Sequence, residues 1–111
     1  MQDTERLIIA ISGASGAIYG IRILESLKNS SLERHLIISP NAHITIGEET
    51  DYTLDDIKAM ATKTYNYKDM AACVSSGSYK TRGMIVAPCS MRCLAEIATG
   101  VTTNLISRSA E

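Results

Sequence analysis

Three times along this chain a short unbroken run of aliphatic and β-branched residues ends in a small polar loop that opens a helix. Few folds accommodate that rhythm. Leu7-Ile8-Ile9-Ala10-Ile11 gives way to Ser12-Gly13, Leu36-Ile37-Ile38 to Ser39-Pro40, and Gly83-Met84-Ile85-Val86-Ala87 to Pro88-Cys89-Ser90. Runs without polar alternation suit strands covered on both faces, as in a parallel sheet sandwiched between helices. Strand, loop and helix in repetition therefore predict an α/β fold on a parallel sheet with right-handed crossovers.

The helical segments carry their own punctuation. Over residues 17–28, Ala17, Ile18, Ile21, Leu24 and Leu27 recur at helical spacing before Asn29-Ser30-Ser31 stops the pattern. Ser39-Pro40 pairs an N-cap residue with proline at the first helical position. Thr53 with Asp56 three residues on predicts a capping box, opening a helix through Ile57, Met60 and Ala61. Residues 65–68 and 75–78 are polar enough to be loops. Ser90 is placed to cap a helix carrying Leu94, Ile97 and Ala98, which Gly100 ends, and a last helix is expected from about Thr103 to Glu111. Three strands make a narrow sheet with an open edge, so the chain is expected to be the front of something longer or to be covered by another subunit.

Composition narrows the classes. The 111 residues suffice for a single domain with one modest core, and with Phe and Trp absent that core must be Ile, Leu, Val, Met and Ala. A content of 45% hydrophobic and 21% charged residues matches an ordinary soluble protein, and no apolar run approaches the roughly 20 residues of a membrane span. Acidic residues at the start stand where a secretory signal would be basic, so a cytoplasmic location is expected. A net charge of -1 without a basic cluster argues against nucleic acid. Cys73, Cys89 and Cys93 lack metal-ligand spacing and are read as buried free thiols, with no metal expected.

In an open parallel sheet, ligands bind beyond the carboxyl ends of the strands, where all three loops here are small, polar and followed by a helix N-terminus. That arrangement suits a phosphate. Gly13, Gly16 and Gly20 match neither G-x-G-x-x-G nor a Walker loop ending in Gly-Lys-Ser/Thr, which turns the choice away from NAD and ATP. Without a loop lysine, backbone amides and the hydroxyls of Ser12 and Ser15 would hold the phosphate, as befits a mononucleotide such as FMN. The plainer alternative is a tight strand-to-helix turn that binds nothing.

Four segments together, Ser12-Gly13-Ala14-Ser15-Gly16-Ala17-Ile18-Tyr19-Gly20, Ser76-Gly77-Ser78, Ala87-Pro88-Cys89-Ser90-Met91 and Asn104-Leu105-Ile106-Ser107-Arg108-Ser109-Ala110, resemble the successive motifs of the UbiX/Pad1-like flavin prenyltransferase family. The match runs in order from Arg6 through nearly the whole chain, and it identifies the chain as the amino-terminal portion of such a protein. The resemblance implies a flavodoxin-like, Rossmann-like three-layer fold, incomplete at the carboxyl end, that forms one FMN-binding domain over residues 1–111. It implies transfer of a dimethylallyl group from dimethylallyl phosphate to N5 and C6 of reduced FMN. The prenylated FMN then serves a separate UbiD-type decarboxylase of aromatic or phenolic acids. Carried over by position, Gly13, Ala14 and Ser15 match the first flavin contact, Ser39 the second, and Ser90, Met91, Arg92 and Cys93 the third. Ser15 and Glu49 match positions near the prenyl phosphate and are the candidate catalytic residues, Glu49 by handling a proton. Family members are homo-oligomers, typically dodecamers, which would cover an open sheet edge. Tyr19 and Tyr79 are read as packing residues, a stacking role on flavin being the alternative.

Arg92-Cys93, Ser109 and Glu111 depart mildly from the family pattern. The family also carries a further strand, an arginine on the flavin phosphate, an acid, and a tyrosine with basic residues on the prenyl phosphate, all beyond Glu111. The isolated chain is accordingly expected not to prenylate FMN and to be marginally stable. Two other readings stay open. A flavin-dependent cysteine decarboxylase of related fold would need a catalytic histidine, and His35 and His43 fall outside the motifs. A non-catalytic FMN-binding or subunit-interaction remnant would need only the cleft.

Overall fold

The computed structural model describes residues 5–68, 81–100 and 105–110, excepting the side chains of Arg92, Leu105, Ser107 and Arg108. Expectations attached to Cys73, to residues 75–78, to Tyr79, Thr103, Asn104 and Glu111 and to those side chains lie outside the described residues. The strands are β1 (Arg6–Ile11), β2 (Glu33–Ile38), β3 (Lys63–Tyr65) and β4 (Gly83–Val86). The helices are α1 (Ala17–Leu27), α2 (Pro40–Glu49), α3 (Leu54–Ala59), α4 (Met91–Thr99) and α5 (Leu105–Ala110). All strand pairs are parallel in the order β3-β2-β1-β4, with Ile9 opposite both Leu36 and Ile85.

The uninterrupted apolar runs are buried on both faces because successive side chains point to opposite sides of a strand. Ile9, Ile11, Leu36 and Ile38 pack with Ile21 and Leu24 of α1, Ala42 and Ile46 of α2 and Ile57 of α3. Ile8, Ala10, Ile37 and Tyr65 pack on the opposite face with Cys93 of α4 and Ile106 of α5. Two clusters on two faces give the expected three layers. Fully burying each large aliphatic side chain is worth about 1.5–3 kcal/mol, and β1 and β2, which together hold seven fully or nearly fully buried aliphatic residues, anchor the sheet.

Among the described residues the strand count is four rather than three. β3 escaped sequence reading because it spans three residues and exposes Lys63 and Thr64, so it has neither an apolar run nor a usable alternation. Among the described residues it pairs with β2 on one side only and thus forms the edge. β2 also starts earlier than its apolar run, at Glu33, where polar residues extend the ladder against β1. Among them His35 is buried yet satisfied: its Nδ1 lies 2.9 Å from the Tyr65 hydroxyl and its Nε2 2.9 Å from the Glu33 carboxylate. That network ties β3 to β2 through side chains and gives His35 a structural place. The predicted capping box is present, with the Thr53 hydroxyl accepting from the Asp56 amide and the Asp56 carboxylate from the Thr53 amide, each at 3.1 Å.

Candidate functional site

β2 and β3 succeed β1 on one side, whereas β4 lies on its other side, so the order of the chain reverses between β1 and β4. At such a switch point the loops leaving adjacent strands diverge and leave a crevice. Here the loops are sewn together by polar groups. The Ser12 hydroxyl donates to the Pro88 carbonyl at 2.5 Å and accepts from the Ser90 amide at 2.7 Å, while the Ser39 amide donates to the Ile11 carbonyl at 3.0 Å. Only 3% of Ser12 is exposed. Its proton is committed to Pro88, so the expected ligand-donating role of this hydroxyl gives way to a clamp between the first and third loops.

Glycine is required at two points of this frame. A Cβ on Gly13 would overlap the Asn41 side chain at the start of α2. One on Gly20 would run into the Ala87 carbonyl and come within 2.8 Å of the Ile11 side chain. Both glycines let helices approach the strand ends closely.

Two of the three helix starts are capped from their own sequence, as predicted. Ser39 accepts from the Ala42 amide at 3.3 Å and Ser90 from the Cys93 amide at 3.1 Å. Each hydroxyl spends a lone pair on its helix and keeps a proton to offer, and the first amides of α2 and α4 have no partner within their own helices. The third helix start is different. Gly16, at φ 102°, caps α1 without a side chain, and the Glu49 carboxylate reaches across from the last turn of α2 instead. Its Oε1 accepts from the Gly16 amide at 2.9 Å and the Ala17 amide at 3.3 Å. The Gly16 amide, then the Ser15 hydroxyl, hold the Glu49 carboxyl below its usual range against an opposing effect of desolvation, the Ala17 amide adding the least. Glu49 is therefore a standing anion on the positive end of α1, exposed to solvent yet tied to two backbone amides.

The crevice has a volume of about 430 Å³, within the roughly 300–1,000 Å³ usual for small-ligand sites. Of the residues singled out in sequence it gathers Ser12, Gly13, Ser39, Ser90 and Cys93. Ala14, Ser15 and Glu49 stand apart from it around the α1 N-terminus, and Met91 points outward with 81% exposure. Tyr19 is 69% exposed with its ring over Gly16, which corrects the expectation of a packed core tyrosine: its turn of α1 is left uncovered among the described residues. Asn41, Tyr67, Glu96 and Ile106 line the crevice without having been anticipated. Asn41 could have been found as the residue after Ser39-Pro40, but Glu96, only 9% exposed, occupies an ordinary helical polar position and gives no signal in sequence. Cys89 and Cys93 are free thiols as expected, but only Cys93 is buried and Cys89 is half-buried. Burial, then the neighbouring Cys89 thiol, pushes the Cys93 thiol up to about 12, so at neutral pH it rests as a protonated wall of the crevice.

Among the described residues no helix is long and apolar enough to cross a membrane, and no three His, Cys, Asp or Glu side chains converge as metal ligands.

The flavoprotein family profile matches residues 1–111. Flavin prenyltransferase PAD1, mitochondrial, of Saccharomyces cerevisiae is 50% identical over 107 residues, which are 96% of this chain and 44% of that protein. A crystal structure of AnUbiX (PadA1) in complex with FMN and dimethylallyl pyrophosphate superposes with a TM-score of 0.94 at 46% identity, covering 97% of this chain and 57% of that one. A dodecameric FMN-dependent Ubix-like decarboxylase from Escherichia coli O157:H7 superposes with a TM-score of 0.92 at 43% identity, over 95% of this chain and 57% of that one. The chain thus spans about half the length of the relatives it matches.

Proposed function

The chain belongs to the flavoprotein family, among its UbiX/Pad1-like flavin prenyltransferases, and from that premise we propose that it binds FMN in the three-loop crevice and takes part in moving a dimethylallyl group from dimethylallyl phosphate onto reduced FMN. The observation that carries this reading is the convergence of serine-capped helix starts, Ser39 on α2 and Ser90 on α4, on one crevice of nucleotide-compatible size. The fit is chemical. Two hydroxyls with protons to offer and two helix N-termini form an anion-binding wall, which suits a phosphate monoester.

In this reading Gly13, Ala14 and Ser15 contact the flavin from the first loop, Ser39 from the second, and Ser90, Met91, Arg92 and Cys93 from the third. When bound, reduced FMN supplies the electron-rich ring that takes the alkyl group, and inorganic phosphate leaves. Ser15 and Glu49 serve the prenyl phosphate side. The Glu49 carboxylate orients the Ser15 hydroxyl and fixes the first turn of α1, and because it is held ionised it enters as a weak proton acceptor rather than an acid. Dimethylallyl pyrophosphate, held by the AnUbiX relative, is the neighbouring donor to compare. The prenylated flavin would pass to a UbiD-type decarboxylase. Assembly as a homo-oligomer, with the dodecameric relative as its precedent, and a cytoplasmic location complete the proposal, although the yeast relative is mitochondrial.

A second reading, an FMN-binding or subunit-interaction module without turnover, draws on the chain's spanning about half the length of its relatives. The test is anaerobic incubation with reduced FMN and dimethylallyl phosphate, followed by mass spectrometry of the flavin. Prenylated flavin supports transfer and overturns the expectation that this chain alone does not prenylate FMN, retained but unchanged FMN supports the second reading, and failure to retain FMN overturns both.

A further inference from the structure

The spacing Cys89-Ser90-Met91-Arg92-Cys93 sets one cysteine just before the N-cap of α4 and the other at its third helical position. A chain entering a helix turns sharply at the cap, which folds the preceding residue back over the first turn. The structure sets both cysteines on one face. Cys93 is buried in the cluster on the α4 and α5 face, Cys89 packs against the same cluster, and the Cys89 thiol is close enough to help push the Cys93 thiol up. Cys89 also lies 3.7 Å from the Ser90 carbonyl, and both cysteines are free. Cys93 lines the crevice, whereas Cys89 is half-buried beside it, so the pair has one sheltered and one reachable sulfur.

We propose that Cys89 and Cys93 are an oxidisable dithiol that closes to a disulfide in the wall of the crevice when hydrogen peroxide reaches it. Cys89 reacts first, being the more accessible. Its thiolate attacks one peroxide oxygen, the O–O bond breaks, and the departing hydroxide takes up a proton to leave as water with Cys89 as a sulfenic acid. The Cys93 sulfur then attacks the Cys89 sulfur and displaces hydroxide, which takes the Cys93 proton and leaves as a second water. Two thiols and one peroxide give one disulfide and two waters: each sulfur loses one electron, and the peroxide gains two. The raised Cys93 pKa leaves that thiol protonated and slow towards peroxide, so Cys89 is oxidised first and Cys93 loses its proton only to the hydroxide departing from Cys89. Any peroxide source suffices. If the crevice holds reduced FMN, as proposed above, its reaction with dioxygen gives FMN and hydrogen peroxide at the site.

Arg92 lies between the two cysteines and makes the test direct, since trypsin puts Cys89 on residues 83–92 and Cys93 on residues 93–108. The folded full chain is treated with a few equivalents of hydrogen peroxide, blocked with an alkylating agent, digested and mapped by mass spectrometry. The expected product is those two peptides joined, two hydrogens lighter than the sum of their thiol forms and separated by dithiothreitol. In the Cys93→Ser chain, Cys89 should stop at a sulfenic acid that dimedone traps. Recovery of both peptides alkylated at Cys89 and Cys93, or Cys73 in place of either partner, would overturn the proposal, and neither result depends on whether the chain binds FMN.

Discussion

Replacing Ser12 by alanine removes the clamp that joins the first loop to the third. The hydroxyl makes two hydrogen bonds, to the Pro88 carbonyl at 2.5 Å and from the Ser90 amide at 2.7 Å, from a position only 3% exposed. The Pro88 carbonyl keeps a second donor, the Ser12 amide at 3.2 Å, so its loss is partial. The Ser90 amide keeps none among the described residues. One orphaned amide costs about 1–3 kcal/mol, and the weakened carbonyl adds part of an ordinary bond of about 1 kcal/mol. The sum is about 2–3 kcal/mol, or a Tm lower by roughly 10–20 °C for a chain of this size. Urea unfolding followed by circular dichroism gives the loss directly, and FMN titration of the same variant should show weaker binding because the two loops no longer hold one another in place. A stability loss under about 0.5 kcal/mol, the range of featureless surface substitutions, together with unchanged FMN affinity would refute the clamp.

Other substitutions probe the frame and its charge. Gly20→Ala forces a methyl onto the Ala87 carbonyl and against Ile11, and should cost about 1–3 kcal/mol as an overpacked site in the same unfolding assay. Ser90→Ala removes the cap on the Cys93 amide and should cost about 1 kcal/mol. Glu49→Gln tests the bridge to α1 through pH. The Glu49 carboxyl is held below its unfolded value, so its contribution is fully present above the ordinary carboxylate range and is lost as pH falls through the lowered value. The stability gap between wild type and Glu49→Gln should therefore be widest near neutrality and narrow in acid. A gap that is constant with pH would assign Glu49 no such role.

The three apolar runs announced β1, β2 and β4 because strands covered on both faces carry no polar interruption, and Ser39, Thr53 and Ser90 announced their helices through capping chemistry that acts over three residues. β3 was silent, since its two exposed residues are held by pairing to β2 and by the Tyr65 hydroxyl on His35, contacts made across about thirty residues of sequence. The crevice was legible at Gly13, Ser39 and Ser90 for the same local reason. The contacts that sequence did not reveal are all tertiary: Ser12 turns inward to Pro88, Glu49 crosses from α2 to α1, and Glu96 reaches the crevice because α4 happens to present that face. None of those pairings leaves a mark within a few residues of either partner.

The central claim is that helix starts at Ser39 and Ser90 bind the phosphate of FMN, and comparing FMN with riboflavin tests it most directly. Hydrogen bonds to a charged group are worth about 1.5–3 kcal/mol each, so losing even one phosphate contact should weaken binding at least about tenfold. Titrated by flavin fluorescence, the chain should bind FMN saturably and riboflavin at least about tenfold more weakly, with the difference shrinking in Ser39→Ala and Ser90→Ala. Equal affinity for the two flavins, or no binding of FMN at all, would contradict the account.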